Sequence, residues 1–337
     1  MSLLQRLAVL PAILAVVSSH AAAASDRLVI QGGNGPGRGK RVVLVSGDEE
    51  YRSEQALPQL ARILAMHHGF DCTVLFAIDQ DGAINPDRAD NIPGLEALDS
   101  ADLMILFTRF RDLPDAQMKH IVDYVESGRP VVAMRTATHA FALKTSATYQ
   151  RYSWNSKEWD GGFGRQVLGE TWIDHHGRHG VQSTRAVTAA GQEGNPILRD
   201  IPSGAIRVPT DVYKVRLPLP EGTQVLLLGE VLEGMAPTDA PVAGRQNDPK
   251  MPVAWTRTYT GSQGKPARIF TTTMGSAQDL LNEGFRRLLV NASYWATGME
   301  RNIPADSDAG LVGRYEPLPF KFGGAAKGVK PSDLDGK

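Results

Sequence analysis

Residues 174 to 179 read Asp174-His175-His176-Gly177-Arg178-His179 and gather three of the chain's eight histidines into five positions. Neutral imidazoles beside a carboxylate suit zinc or a similar divalent ion, which makes Asp174, His175, His176 and His179 a candidate metal set. The same histidines can pass protons to and from a substrate near neutral pH, or serve purely structural ends. Gly177 and Gly180 point to a loop rather than the helical spacing of zinc signatures, and the sequence leaves all three readings open. It signals no other cofactor.

Three further polar clusters each follow a short apolar run. Gly47-Asp48-Glu49-Glu50-Tyr51-Arg52 follows residues 41–45, Thr108-Arg109-Phe110-Arg111 follows 103–107, and Arg135-Thr136-Ala137-Thr138-His139 follows 130–134. If those runs are strands of one open parallel sheet, the clusters share the edge at which such sheets bind ligands. Asp48, Glu50, Arg52, Arg109, Arg135 and Thr138 then become candidates for holding a substrate. His139, at a strand-to-helix turn, is a candidate for acid–base work alongside His175, His176 and His179. No cysteine occupies that turn and no Gly-x-Ser-x-Gly sequence occurs, which argues against acyl-enzyme chemistry. Tyr149, Tyr152, Trp154, Trp159 and Phe163 form an aromatic stretch whose rings can stack on a sugar face or pack beneath a loop; Trp154 and Trp159 are its candidate sugar contacts. Asp211, Tyr213 and Thr273, on later segments, can complete the pocket. His67 and His68 suit the C-terminal end of a helix, and His120 a solvated helix face.

The order of these motifs resembles the ThuA-like family, named for trehalose utilisation. The segments that carry it are residues 47–54 and 135–141, Gly161-Gly162-Phe163-Gly164, His175-His176-Gly177, Pro252-Val253-Ala254-Trp255 and Thr272-Thr273-Met274-Gly275. The resemblance implies a class I glutamine-amidotransferase-like fold, a flavodoxin-like sheet that has lost the amidotransferase cysteine, and a role in carbohydrate breakdown on disaccharides or keto sugars. Asn195, before Pro196-Ile197, and Ser276, after Met274-Gly275, stand where family members often carry histidine, so a metal site built on those histidines does not transfer. The leading expectation is an exported enzyme performing acid–base chemistry on a keto sugar or disaccharide, of lyase, isomerase or hydrolase type and not a glutamine amidotransferase. His139 and one of His175, His176 or His179 would act as acid and base. A non-catalytic carbohydrate-binding module and a metal-dependent hydrolase centred on His175 to His179 are the alternatives.

Bringing such groups together demands alternating elements. Apolar runs at 41–45, 72–76, 103–107 and 130–134 predict strands, while Leu57, Leu60, Ile63, Leu64 and then Met118, Ile121, Val122, Val125 fall at helical spacing, closed by Gly69 and Gly128. Alternation of this kind predicts an α/β fold with helices on both faces of a mainly parallel sheet. With the resemblance it becomes a flavodoxin-like, doubly wound sheet with long loop insertions. Further strands are expected at 225–228, 252–255 and 269–272. The capping box Ser276-Ala277-Gln278-Asp279 predicts a last helix with Leu281, Phe285, Leu288, Leu289 and Trp295 on one side. Residues 41–300 form the expected domain, residues 25–40 a flexible glycine-rich leader, and residues 301–337 an extended or loose tail.

Arg6, the apolar residues 7–17 and Ala21 to Ala24 predict a cleavable signal peptide over residues 1–24, hence a periplasmic or secreted protein with no membrane contact after cleavage. Formal net charge is −1; loss of Arg6 makes it −2, which excludes a basic nucleic-acid footprint. A small carbohydrate is the expected partner, and nothing indicates an oligomeric state. Cys72 is the sole cysteine, so no intrachain disulfide forms, and its apolar surroundings predict a buried hydrophobe.

Overall fold

The computed structural model describes residues 26–236 and 238–335; the expected signal peptide lies outside them. Twelve strands occur in it: β1 (Arg27–Ile30), β2 (Arg41–Gly47), β3 (Asp71–Leu75), β4 (Leu103–Thr108), β5 (Val131–Met134), β6 (Asp174–His175), β7 (Thr184–Thr188), β8 (Ile206–Val208), β9 (Tyr213–Lys214), β10 (Gln224–Val231), β11 (Met251–Thr260) and β12 (Pro266–Thr272). The main α-helices are α1 (Ser53–His68), α2 (Asp115–Glu126) and α3 (Glu283–Ala296).

Ten strands form one mixed sheet in the order β1-β3-β2-β4-β5-β12-β11-β10-β7-β8, and β6 pairs separately with β9. The five central strands, β3-β2-β4-β5-β12, are mutually parallel. At the flanks, β1 and the group β11-β10-β7-β8 run antiparallel to their neighbours. The apolar runs of the second half, at 225–228 and 252–255, lie in these antiparallel strands. Along β2 the side chains alternate between faces: Val42 and Leu44 join the core under α1 and α3, whereas Val43 and Val45 join the core under α2. Helices therefore cover both faces, and all loops after the parallel strands emerge at one edge.

The segment expected as a flexible leader instead carries β1 and a glycine-rich stretch docked on the end of α1. The amides of Gly33 and Gly37 donate to Ala65 and His68 carbonyls at 2.9 and 2.8 Å. Gly69 closes α1 with φ 79, and a Cβ there would lie 2.9 Å from the Gly35 nitrogen, so only glycine fits. Cys72 is buried on β3. Only half of the expected Ser276–Asp279 box forms: Ser276 Oγ accepts from the Asp279 amide at 3.1 Å, but the Asp279 carboxylate takes the Gly275 amide and the Ser276 hydroxyl instead, and the segment opens a 3₁₀ turn over Gln278–Leu281. Asn282 is the true cap of α3, accepting from the Phe285 amide at 2.9 Å. The helix starts after Leu281 for that reason, and Leu281 is exposed while Phe285, Leu288 and Leu289 are buried.

Candidate functional site

The turn after β2 is latched by Asp48. Its Oδ1 accepts the amides of Glu50, at 2.8 Å, and Tyr51, and its Oδ2 accepts Thr136 Oγ1 at 2.6 Å. Burial, helped by the negative charge of Glu49 and opposed by these hydrogen bonds, raises the Asp48 carboxyl to about 6. The latch joins the β2 turn to the β5 turn. Of the four non-glycine residues with positive φ among the described residues, Arg52, Phe110 and Arg135 stand one in each turn after β2, β4 and β5. Strained backbone of that kind persists where surrounding structure fixes it and clusters at functional sites.

Arg135, fully buried, is the hub. Its guanidinium donates to Asp211 Oδ1 at 2.7 Å, to the carbonyls of Asp211 and Thr273 at 2.6 and 2.7 Å, and to Tyr51 Oη at 3.0 Å. The rings of Tyr51 and Tyr213 flank it at 4.6 and 3.6 Å. Burial alone would raise the Asp211 carboxyl, but Arg135 and the hydrogen bonds from two histidines outweigh it and hold Asp211 well below the usual carboxylate range. An ionised carboxylate only accepts, so His175 Nδ1 donates to Asp211 Oδ2 at 2.7 Å, and His179 Nδ1 donates to Oδ1 at 3.2 Å. The other nitrogen of His179 faces Glu50 Oε1 at 3.1 Å. Hydrogen bonds to Asp211 and then Glu50, against opposing burial, raise the His179 imidazole to about 9.

Beside this charge cluster lies a small cavity lined by Glu50, Arg109, Phe110, His139, Trp172, His175 and Tyr213. Its open space is about 20 Å³, the room of a single water. His139 is buried against Phe110, Trp172 and Tyr213, with ring centroids 4.8, 5.4 and 6.1 Å away. Burial, with the charges of Arg109 and Arg135 and the neighbouring His175, holds its pKa well below the ordinary histidine value, so the ring is neutral. Larger hollows, of about 370 and 320 Å³, lie along β1 and contain no histidine. Among the described residues, one set of side chains could hold a metal ion: His175, His179 and Asp211, whose ligand atoms all lie within 4.8 Å of one another.

The sequence profile of the family described as trehalose utilisation, ThuA, matches residues 41–296. The chain belongs to that family. Among solved structures, a ThuA-like protein from Parabacteroides merdae is 14% identical, the match covering 84% of this chain and 95% of that one with a TM-score of 0.48. A cold-adapted β-galactosidase from Rahnella sp. R3 is 15% identical over 78% of this chain and 31% of its own, with a TM-score of 0.39. The exo-β-1,4-mannosidase Op5Man5 from Opitutaceae bacterium strain TAV5 is 11% identical over 76% and 35%, with a TM-score of 0.31. No curated protein matches this chain.

In this ThuA-family chain the fold gathers Glu50, Arg109, Arg135, His139, His175, His179, Asp211 and Tyr213 from five separate segments. Thr138 Oγ1 supports the His139 ring at 3.2 Å, and Thr273 serves through its carbonyl. Trp154 stands 5.5 Å from Phe110 and 6.1 Å from Trp172, on the rim of an adjoining groove. Five expected site residues fall elsewhere. Asp48 is turned inward as the latch. Arg52 donates to the carbonyls of Pro319, at 3.3 Å, and Lys321, because its left-handed backbone turns it toward the C-terminal tail. Trp159 packs on Tyr152 at 5.0 Å. His176 Nε2 lies 2.7 Å from the Gln246 carbonyl and Asp174 is exposed, receiving the His175 amide, so both leave the metal set and Asp211 enters it.

Four aromatic side chains escaped the sequence. Tyr51 and Phe110 stood inside clusters already singled out for their charges, and Trp172 preceded the histidine cluster with only its type as a signal. Phe320 comes from the tail, its ring 5.3 Å from Tyr51 and 5.4 Å from His179. The neighbouring Lys321 amide donates to the Glu50 carbonyl at 2.9 Å, and Phe322 lies on the Arg109 guanidinium at 5.0 Å.

Proposed function

We propose that this ThuA-family protein is an exported enzyme acting by proton transfer on a keto sugar or disaccharide. The observation that carries the reading is the Asp211 carboxylate, kept ionised by buried Arg135 and fixing His175 at the cavity edge. With Nδ1 donating to Asp211, the neutral form of His175 carries its lone pair on Nε2, the atom that takes a proton, in the base-and-orienter arrangement of nucleophile-activating triads. The C–H bond beside the ketone breaks, its proton passes to His175 Nε2 and its electron pair enters the enolate. The cationic His179 and Arg109 favour the charge that develops on the enolate oxygen. Return of the proton to the former carbonyl carbon, with the neighbouring hydroxyl proton passing to the enolate oxygen, isomerises the sugar; expulsion of the β-substituent, with the proton delivered to its oxygen, eliminates it. Neutral His139 is a hydrogen-bonding partner for the substrate in this scheme rather than the acid or base the sequence suggested. The leader-like residues 1–24 support export. The strand order of the parallel core, second-first-third-fourth-fifth along the chain, supports the finer reading of a flavodoxin-like, doubly wound sheet into which β6 to β11 are inserted.

Incubating the protein with trehalose and mono-keto trehalose, and following masses, tests the proposal. Product from the keto sugar, lowered about 10²-fold or more by His175→Ala, is expected for loss of a general base. Sugar binding without product over long incubation would select the binding-module reading instead. A metal-dependent hydrolase is favoured by one observation, the convergence of His175, His179 and Asp211. Two imidazoles and a carboxylate fit zinc or a similar ion, which when bound supplies Lewis-acid polarisation of a substrate oxygen. Stoichiometric metal by elemental analysis, with activity lost on chelation and restored on addition, would establish it.

A further inference from the structure

The cavity admits a reacting group but not a sugar ring, so the bulk of any carbohydrate has to rest beside it. Trp172 is the wall between that cavity and a groove of about 290 Å³, whose lining includes Trp154, Asn155, Ser156, Lys157, Asp160 and Arg216. Its ring lies 5.4 Å from His139 and 5.9 Å from His175 on one side, and 6.1 Å from Trp154 on the other. The Trp172 indole N–H is buried and has no hydrogen-bond partner among the described residues.

The polar side of the groove is built in advance. Glu170, buried, receives the Arg216 guanidinium through Nε at 3.2 Å and Nη2 at 3.0 Å, and Arg165 at 2.8 Å. Asp160 accepts from Arg216 Nη1 at 3.3 Å and remains 62% exposed. Two carboxylates thus already offset two guanidiniums, which favours neutral hydroxyl groups over a phosphate as the ligand. The loop that carries Trp154 and Asp160 is fixed by Gly162, at φ 52, where a Cβ would fall 2.0 Å from the Ser153 carbonyl oxygen.

We propose that this groove binds one pyranose unit, its ring lying against Trp154 and Trp172 and its hydroxyls on Asp160 and Arg216, while the neighbouring unit presents its reacting carbon to the histidine cavity. The preferred substrate is accordingly a disaccharide or longer glycoside. The inference rests on the carbohydrate reading above and adds to it where the second sugar sits. Aromatic platforms and paired donor–acceptor side chains are the usual means of holding a ring whose faces are apolar and whose edge is polar.

The test compares mono-keto trehalose with mono-keto methyl glucoside as substrates of the full protein, and trehalose with methyl glucoside as binding probes. The wild-type protein should prefer the disaccharide in kcat/KM. Trp154→Ala should cut that preference about fivefold to tenfold, the scale of one lost aromatic contact, mainly through KM, and Trp154→Phe should recover part of it. Asp160→Ala, at an exposed rim position, should cut the preference in the same direction while thermal melting stays near wild type, which separates recognition from folding. Equal use of both keto substrates by the wild type, or equal losses for both in the variants, overturns the groove assignment and leaves the carbohydrate reading standing. Absence of binding and turnover with all four sugars overturns both.

Discussion

Replacing Asp211 by Asn removes one negative charge from a point where two positive groups, Arg135 and His179, meet. Arg135 loses a 2.7 Å ionic hydrogen bond at a site with no exposure and keeps only two carbonyls, the Tyr51 hydroxyl and two aromatic faces. Breaking a buried pair from one side costs about 3–5 kcal/mol. A second contribution comes from His179. Moving an imidazole from 6.5 to about 9 corresponds to about 3 kcal/mol at about 1.4 kcal/mol per tenfold change in proton affinity. Solvent around a side chain 34% exposed screens that to about 1–2 kcal/mol. The folded value lies above the unfolded one, so this stabilisation is complete below pH 6.5 and is lost as pH rises through 9. Urea unfolding at pH 6 and pH 9.5 should therefore show a wild-type protein less stable at the higher pH, and an Asp211→Asn variant several kcal/mol weaker at pH 6 with a flatter dependence. Imidazole NMR titration should find His179 shifted back toward the ordinary histidine range. A variant within about 1 kcal/mol of wild type, whose His179 still titrates near 9, would refute the assignment of Asp211 as the organiser of this cluster.

Glu54→Gln should stabilise the protein by about 1–3 kcal/mol at pH 8, measured by denaturant unfolding: burial raises this carboxyl from 4.5 to about 7, so the wild type loses stability as pH climbs between those values. Gly162→Ala should cost more than about 1 kcal/mol, because both its positive φ and the Ser153 carbonyl oppose a side chain; a melting temperature equal to wild type would contradict this. Cys72, whose thiol burial pushes up, should resist thiol reagents in the native protein and react at once in denaturant, and rapid native labelling would show that β3 opens readily.

The clusters after β2, β4 and β5 could be placed at one edge from sequence because strand–helix alternation forces parallel strands to release their loops together. What the pattern could not show was which way a side chain turns once there. His175 and His176 are adjacent residues at an extended segment, so they project oppositely, one to Asp211 and the other to Gln246. Asp211 reaches the histidines because β6 pairs with β9 in the register His175↔Tyr213, a contact between residues far apart in the chain that no local spacing encodes. The antiparallel direction of β10 and β11 was equally hidden, since a short apolar run reads alike in either orientation. Arg52 and Asp48 illustrate a further point: a charge in a polar cluster binds the backbone around it as readily as a ligand, and only the turn geometry decides.

The tail residues 319–322 touch Tyr51, Glu50 and Arg52 across some 270 positions of chain, beyond the end of the family match at residue 296. They leave the ribosome long after the residues they touch. The packing behind Glu50, Arg109 and His179 is therefore completed well after the histidines themselves have been made, and a chain cut before residue 319 would carry the histidines without the Phe320 ring that backs His179.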